Sequence, residues 1–160
     1  MEILVISDTH GNTGVILPLL EQYQNRVSAV LHTGDHDLDL LQLKDRTTLH
    51  LETVAGNTDD GVRSPREKIV KLGGKNIFMT HGSNQNVNSN NKQLIHHALE
   101  RKADICLFGH THVSTIFEEH GIFFMNPGSL NEPRDYNPPS YGLLTINEET
   151  GAVSGEIIFI

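Results

Sequence analysis

The chain has 160 residues and carries twelve Lys and Arg against twenty Asp and Glu, so its formal net charge is −8 at neutral pH. Because a domain typically has roughly 100–200 residues, this length predicts a single domain over residues 1–160. The acidic balance argues against a broad nucleic-acid-binding face, and the single cysteine, Cys106, excludes an internal disulfide and a thiolate-rich metal site.

The first half of the chain alternates between strand and helix patterns. Short apolar runs rich in β-branched side chains predict three buried strands, at residues 3–6, 29–31 and 49–55. Between them, the spacing of apolar positions indicates helices over residues 15–23 and around residues 38–41. Pro18 is compatible with the first of these helices only if it lies in the first turn.

The second half contains a hairpin, one helix and a series of short strands. Residues 67–72 and 76–80 flank Gly73-Gly74, which is typical of a two-residue hairpin turn. A stripe of apolar positions predicts a surface helix within residues 90–102. Further strands are predicted at residues 105–108, 115–117, 122–125, 141–146 and 152–160.

Strand–helix alternation followed by strand after strand predicts an α/β protein with mixed sheets. In such folds, ligands bind beyond the carboxyl ends of the strands. Two long loops are candidates for function or disorder, since residues 82–91 contain five asparagines and residues 127–139 contain four of the six prolines.

Ten histidines are present, and several of them join other metal-ligand residues at the ends of predicted strands. The segments are Asp8-Thr9-His10, Gly34-Asp35, Gly56-Asn57, His81-Gly82 and Gly109-His110-Thr111-His112. Their carboxylates, imidazoles and one amide form a mixed set that suits Mn²⁺, Fe, Co²⁺, Ni²⁺ or Zn²⁺ better than Mg²⁺. Seven ligand side chains exceed one coordination sphere, so the sequence predicts two divalent ions that share a bridging carboxylate. Among these metals we expect Mn²⁺.

The order of these segments resembles the motif series of the calcineurin-like metallophosphoesterases, which is D-x-H, G-D, G-N-x-D, H-G and G-H-x-H. The resemblance extends from residue 1 to about residue 130 and includes Asn126-Pro127-Gly128-Ser129. It is strongest to the small single-domain phosphodiesterases of bacteria and archaea, a branch that also includes the fold of the retromer subunit. The resemblance implies two packed mixed β-sheets flanked by helices, which is a four-layer α/β/β/α sandwich.

The resemblance also assigns the seven ligands to two ions. The first ion would be bound by Asp8, His10 and His112. The second ion would be bound by Asn57, His81 and His110, and Asp35 would bridge both. Asp35, Asn57 and His81 are also the expected catalytic residues. Since alternate side chains of an extended segment point to one side, Asp8 and His10 are expected to point the same way, as are His110 and His112.

Other residues near these motifs have more than one interpretation. Thr58 and Ser83 stand where many relatives have histidine, which leaves the general acid for the leaving group unassigned. Asp59 either orients a ligand histidine or caps its loop, and Arg134 either contacts phosphate or lies at the surface. His32 is expected to be a hydrogen-bonded core residue that supports the site.

These observations predict a dinuclear metal-dependent phosphodiesterase, in which a metal-bridging hydroxide attacks the phosphorus of a small phosphodiester. One alternative is a non-catalytic scaffold that acts in protein–protein interaction, which the complete ligand set disfavours. A mononuclear iron oxygenase would leave four ligand-bearing strand ends unexplained. Because no apolar run is long enough to span a bilayer and no signal peptide is visible, we expect a cytoplasmic protein without a membrane partner. A homo-oligomer is compatible with all of these features.

Overall fold

Two five-stranded mixed β-sheets form the framework of the protein. The computed structural model describes residues 1–60, 63–134 and 136–160, so Asp135 in the proline-rich loop lies outside the described residues. The first sheet consists, in spatial order, of β10 (Val153–Phe159), β9 (Ser140–Ile146), β1 (Glu2–Ile6), β2 (Ala29–His32) and β3 (His50–Thr53). The second consists of β4 (Glu67–Leu72), β5 (Lys75–Thr80), β6 (Ile105–Leu107), β8 (Ile122–Asn126) and β7 (Thr115–Glu119).

Helices cover the outer faces of both sheets. They are α1 (Thr13–Tyr23), α2 (Asp37–Leu41) and α3 (Lys92–Glu100), with short 3₁₀ turns at Lys44–Arg46 and Ser83–Gln85. Helices α1 and α2 pack on the first sheet and α3 packs on the second. The predicted four-layer α/β/β/α sandwich is therefore confirmed. Within the described ranges, no helix has the length and apolar character needed to cross a membrane.

Strand β1 shows how the sequence pattern produces these layers. Ile3 and Val5 point into the core between the two sheets, whereas Leu4 and Ile6 point into the core between the first sheet and its helices. All four side chains are fully buried, and each contributes about 2 kcal/mol on burial. The strand is thus held from both faces, which fixes the position of the polar segment that follows it.

The predicted ligand segments follow parallel strands in both sheets. Strands β1, β2 and β3 run parallel in the first sheet, and β5, β6 and β8 run parallel in the second. The loops at their carboxyl ends are joined by backbone hydrogen bonds. Within the first sheet, the Asp8 N–H donates to the Gly34 carbonyl, and within the second, the Gly109 N–H donates to the His81 carbonyl. The carboxyl ends of the strands thereby form one edge that carries the polar residues.

Two local expectations had different outcomes. The hairpin is confirmed, because β4 pairs with β5 and the turn residues Gly73 and Gly74 have φ angles of +55° and +76°. The expectation that Pro18 lies in the first helical turn is wrong, because α1 begins at Thr13. Proline cannot donate to the Gly14 carbonyl, but both residues are exposed, so water can satisfy that carbonyl.

Candidate metal centre

The backbone turns sharply at five of the seven predicted ligands. The φ angle is +53° at Asp8, +47° at His10, +58° at Asp35, +70° at His110 and +59° at His112. A left-handed conformation costs a non-glycine residue roughly 1–2 kcal/mol, and such outliers cluster at functional sites. The expectation of extended segments at Asp8–His10 and at His110–His112 is therefore wrong. The strands have already ended, and tight turns orient the side chains.

Asp8, His10, Asp35 and His112 form one group, whose ligand atoms all lie within 4.8 Å of one another. The Nε2 atoms of His10 and His112 are 3.3 Å apart, and Nε2 of His112 is 3.2 Å from Oδ1 of Asp8. Nε2 of His10 is 3.9 Å from Oδ2 of Asp35. The structure thus brings together the residues predicted for the first ion and the predicted bridge.

Asn57, His81 and His110 form a second group beside the same aspartate. Nε2 of His81 is 3.1 Å from Oδ1 of Asn57 and 3.2 Å from Nδ1 of His110. The same Nε2 is 3.3 Å from Oδ1 of Asp35. Asp35 therefore presents Oδ2 to the first group and Oδ1 to the second, which is the position that a bridging ligand requires.

Backbone carbonyls orient two of the histidine rings. Nδ1 of His81 donates to the Thr33 carbonyl at 2.9 Å, and Nδ1 of His112 donates to the Glu132 carbonyl at 2.5 Å. A carbonyl can only accept, so Nδ1 carries the proton of each neutral ring and Nε2 carries the lone pair. Both lone pairs point into the site, as required for binding a metal through Nε2.

The surroundings of Oδ1 of Asp8 show whether these residues fit a metal ion. It is buried and has no hydrogen-bond partner among the described residues. It faces Nε2 of His112 at 3.2 Å, so two atoms with lone pairs approach each other closely. This contact is repulsive unless a cation or a proton lies between them. The residues therefore fit a divalent ion, and their oxygen and nitrogen donors suit a first-row metal.

The two carboxylates remain ionised in spite of their burial. Burial by itself raises the pKa of Asp8 and Asp35, but contacts with His112 and His81 outweigh it and hold both pKa values below their ordinary range. Burial opposes protonation of these two histidines as well, but the carboxylates raise the pKa of each. In contrast, burial and the neighbouring His81 lower the pKa of His110. The site thus retains two negative charges that attract cations.

Asn126 and Ser129 form a buried support under the site that the sequence did not predict. Nδ2 of Asn126 donates to the Gly109 carbonyl at 2.8 Å and to the Thr111 hydroxyl at 3.0 Å. Oγ of Ser129 donates to the Asp8 carbonyl at 2.8 Å. These contacts hold the turns that carry the ligands. An Asn-Pro-Gly-Ser segment at a strand end has turn-forming composition, which is the signal that could have indicated this role.

We expect Asn126→Ala to lower the free energy of unfolding by about 2 kcal/mol, because the buried Gly109 carbonyl and Gly128 N–H both lose their partner. Urea unfolding measures this change. The exposed Asn25→Ala is the matched control, and it should change the stability by less than about 0.5 kcal/mol. Equal stability of Asn126→Ala and the wild type would contradict a supporting role.

His32 is a buried, hydrogen-bonded core residue, as predicted. Its Nδ1 accepts from the Gly34 N–H at 3.1 Å, so Nε2 carries the proton and donates to the Thr9 hydroxyl at 3.1 Å. Thr9 in turn donates to Oδ2 of Asp39 at 2.7 Å. Burial lowers the pKa of His32 to about 4, so the ring is neutral near pH 7. Thr9 and Asp39 were missed, because no local pattern links these two positions.

Asp59 caps two loops and does not orient a histidine ring. Its Oδ1 accepts from the backbone N–H groups of His36 and Asp37, at 2.8 and 3.1 Å. Its Oδ2 accepts from the Gly56 N–H at 2.6 Å. The side chain thus joins the loop after β2 to the loop after β3, and of the two interpretations the capping role is correct.

Thr58 and Arg134 lie at the rim of the site. Thr58 is exposed, and its backbone N–H donates to Oδ1 of Asp35 at 3.1 Å. Arg134 is also exposed, and its positive charge opposes protonation of His110 and His112. The guanidinium is therefore within electrostatic reach of both rings, and its contact with phosphate stays a prediction.

Comparison with known proteins identifies phosphoesterases as relatives of this chain. A family model described as the calcineurin-like phosphoesterase superfamily domain matches residues 1–149. The chain is 28% identical over 153 residues to the probable metallophosphoesterase YsnB of Bacillus subtilis, covering 96% of this chain and 89% of that protein. It is 28% identical over 146 residues to the phosphodiesterase MJ0936 of Methanocaldococcus jannaschii, covering 80% and 83%.

Solved structures share the fold over almost the whole chain. A Streptococcus pneumoniae TIGR4 protein described as a predicted phosphoesterase has a TM-score of 0.78 and 28% identity, covering 98% of this chain and 97% of its own. Vps29 of Entamoeba histolytica in complex with Zn²⁺ has a TM-score of 0.72 and 25% identity, covering 99% and 98%. Together with the match to the family model, these likenesses show that the chain belongs to the calcineurin-like phosphoesterase superfamily.

Proposed function

We propose that the protein is a phosphodiesterase that depends on two divalent metal ions. The observation that carries the proposal is the position of Asp35, whose two carboxylate oxygens face the two ligand groups at 3.9 and 3.3 Å. The superfamily and the phosphodiesterase name of the M. jannaschii relative support hydrolysis of a phosphoric ester. Mn²⁺ is the proposed ion, and the Zn²⁺ complex of the related Vps29 makes Zn²⁺ the next metal to test.

The proposed ligands are those predicted from the sequence. One ion would be held by Asp8, His10, His112 and Asp35. The other would be held by Asn57, His81, His110 and Asp35. Bound ions would supply a hydroxide nucleophile near neutral pH and neutralise charge on the phosphoryl oxygens. Asp35, Asn57 and His81 are proposed as catalytic because, as ligands of the second ion, they would lie next to a phosphate held there.

The protein itself contributes rigid orientation of these ligands. The Thr33 and Glu132 carbonyls hold the protons of the neutral His81 and His112 rings on Nδ1, so neither neutral ring has a proton on Nε2 to donate. The hydroxyl of Thr58 is a weak acid at neutral pH. Since the chain offers no histidine at that position, esters with a good leaving group should react best.

Metal analysis and turnover together test the proposal. Mn²⁺ titration of the purified protein should show two sites per chain, and bis(p-nitrophenyl) phosphate should be hydrolysed only by the loaded protein. A single site that spares Asn57 or His81 would contradict the second ion. Full metal occupancy without turnover of a panel of phosphate esters would contradict the enzymatic role.

We expect a preference for phosphodiesters over phosphomonoesters. A monoester is a dianion and needs positive charge beyond the metals, whereas the chain has a net charge of −8 and Arg134, whose charge reaches His110 and His112, is exposed. A diester carries one negative charge, which two metal ions can neutralise. The measurement is the ratio of the kcat/KM values for a diester and a monoester that share the same leaving group. A monoester preference that disappears in Arg134→Ala would instead assign the arginine to phosphate binding.

The likeness to Vps29 favours one second candidate, a scaffold that acts in protein–protein interaction. The candidates differ in what the metal centre is for. A scaffold should bind partners whether or not the metal ligands are intact, and it should not turn over phosphate esters. The seven ligand residues are all present and converge, which supports the enzyme over the scaffold.

The metal ions should stabilise the fold in a pH-dependent manner. Ligand histidines must be neutral to bind metal, so protons compete as the pH falls. In the metal-free protein, burial lowers the pKa of His81 and His112, but the neighbouring carboxylates outweigh burial and raise both pKa values. Their protonation therefore stabilises the metal-free fold at low pH, and this contribution is lost as the pH rises through the raised pKa. Acidification therefore weakens metal binding and also stabilises the metal-free fold, so the difference in melting temperature between the metal-loaded and the metal-free protein decreases.

Melting temperatures with Mn²⁺ and with a chelator measure this gap. We expect the largest difference near about pH 8 and almost none near about pH 5. The exposed His120→Gln is the control and should leave the gap unchanged. A difference that stays constant over this range would contradict histidine ligation.

A further inference from the structure

A cavity of about 330 Å³ lies beside the metal centre, between the loop after β5 and the turn after β6. Apolar lining comes from Val87, Phe108 and Val113. Polar lining includes Asn88, Asn91 and Thr111. Its volume is near the lower end of the range of roughly 300–1,000 Å³ that is typical of small-molecule sites.

The cavity adjoins the second ligand group. The amide nitrogen of Asn88 is 2.9 Å from Nε2 of His110, and Nδ1 of the same ring is 3.2 Å from Nε2 of His81. The cavity lining therefore touches the ring of the proposed ligand His110, and that ring separates the lining from His81. A substrate whose phosphate lies at the metal centre can extend an ester group into this space.

The lining of the cavity is uncharged. Its residues in the described part of the chain are Val, Phe, Asn and Thr, so an anionic group would find no cation there. Asn91 is the N-cap residue of α3, but its side chain makes no capping hydrogen bond, so its amide can serve a ligand. An amide offers a donor and an acceptor side by side, which matches the edge of a heterocyclic base.

From this arrangement we infer that the cavity binds an uncharged heterocyclic ester group, such as a nucleoside, of a diester whose phosphate lies at the metal centre. The apolar side chains contact the face of the ring, and the Asn91 amide binds its edge. The inference rests on the proposed phosphodiesterase function. It adds selection of the organic ester group, which the metal ligands do not provide.

Two diesters of equal charge and equal leaving group test the inference. They are thymidine 5′-(p-nitrophenyl) phosphate and methyl p-nitrophenyl phosphate, assayed with the Mn²⁺-loaded full chain. We expect kcat/KM to favour the thymidine ester by about 10-fold or more. Asn91→Ala should remove most of this ratio. Asn84→Ala, an exposed position in the same loop that does not line the cavity, should keep the wild-type ratio.

A binding measurement separates this inference from the enzymatic proposal. Thymidine, which carries no phosphate, should shift the NMR signals of Val87, Asn91 and Val113, and Asn91→Ala should weaken these shifts. Equal kcat/KM values for both diesters, or a thymidine preference that survives both Asn91→Ala and Val113→Arg, would overturn the cavity assignment. Absence of the thymidine shifts would overturn it as well. Shifts in the cavity without hydrolysis of either diester would support the cavity site and overturn only the phosphodiesterase function.

Discussion

Asp35→Ala should remove both metal ions and almost all phosphodiesterase activity. Asp35 reaches both ligand groups, with Oδ2 3.9 Å from Nε2 of His10 and Oδ1 3.3 Å from Nε2 of His81. Its loss also removes one of the two buried carboxylates whose charge attracts the ions. We expect kcat/KM to fall by at least about 10³-fold, since the charge that organises the site disappears.

Two further variants make this experiment specific. Asp35→Asn keeps the size of the side chain and an acceptor for the Thr58 N–H, so it separates the loss of charge from the loss of packing. It should bind metal more weakly than the wild type but have the same folding stability. Asp45→Ala, which is exposed on a short 3₁₀ turn, should retain metal and activity. If Asp35→Ala kept both ions and normal turnover, the bridging assignment would be wrong.

Gly56→Ala should inactivate the protein although it removes no ligand. A Cβ atom at this position would lie 2.0 Å from Oδ1 of Asp35 and 2.4 Å from its backbone nitrogen. The backbone nitrogen cannot move without moving the left-handed turn, so the carboxylate must shift. A displacement of about 1 Å at a reacting site can cost roughly 10²-fold, and we expect a loss of that size in kcat/KM.

Gly74→Ala is the matched control for this prediction. Among the described residues, no atom lies within 4 Å of the place that its Cβ would occupy, so an added methyl group meets open space. Its positive φ of +76° still imposes a strain of about 1 kcal/mol on alanine. The control should therefore melt at a slightly lower temperature and keep its activity. Wild-type kcat/KM and metal content in Gly56→Ala would contradict the close packing of Gly56 on Asp35.

The sequence predicted secondary structure well where interactions between neighbouring residues decide the backbone conformation. The continuous apolar run of β1 and the glycine pair of the β4–β5 hairpin are examples, because side-chain burial and φ preference act on neighbouring residues. Pro18 was misplaced because the start of α1 depends on packing of its buried face and not on proline alone. Tertiary contacts override local propensity at such positions.

The convergence of the predicted ligands was also accessible from sequence, since the resemblance of the motif series implied which residues would share an ion. The supporting residues Thr9 and Asp39 were not accessible in the same way, and the turn-forming composition of residues 126–129 did not identify the hydrogen-bond partner of Ser129. Their hydrogen bonds join segments that are distant along the chain, as in the contact from Ser129 to the Asp8 carbonyl. No periodicity or motif spacing encodes such pairs.

The sequence by itself determined which ligand types are present, at which strand ends they stand and to which superfamily the chain belongs. Only the tertiary structure decided that left-handed turns orient Asp8 and His112, and that Asp35 turns one oxygen to each ligand group. The physical reason is the range of the interactions. Strand formation and ligand chemistry are properties of adjacent residues, whereas the meeting of His10 with His112, 102 residues later, requires both sheets to be packed.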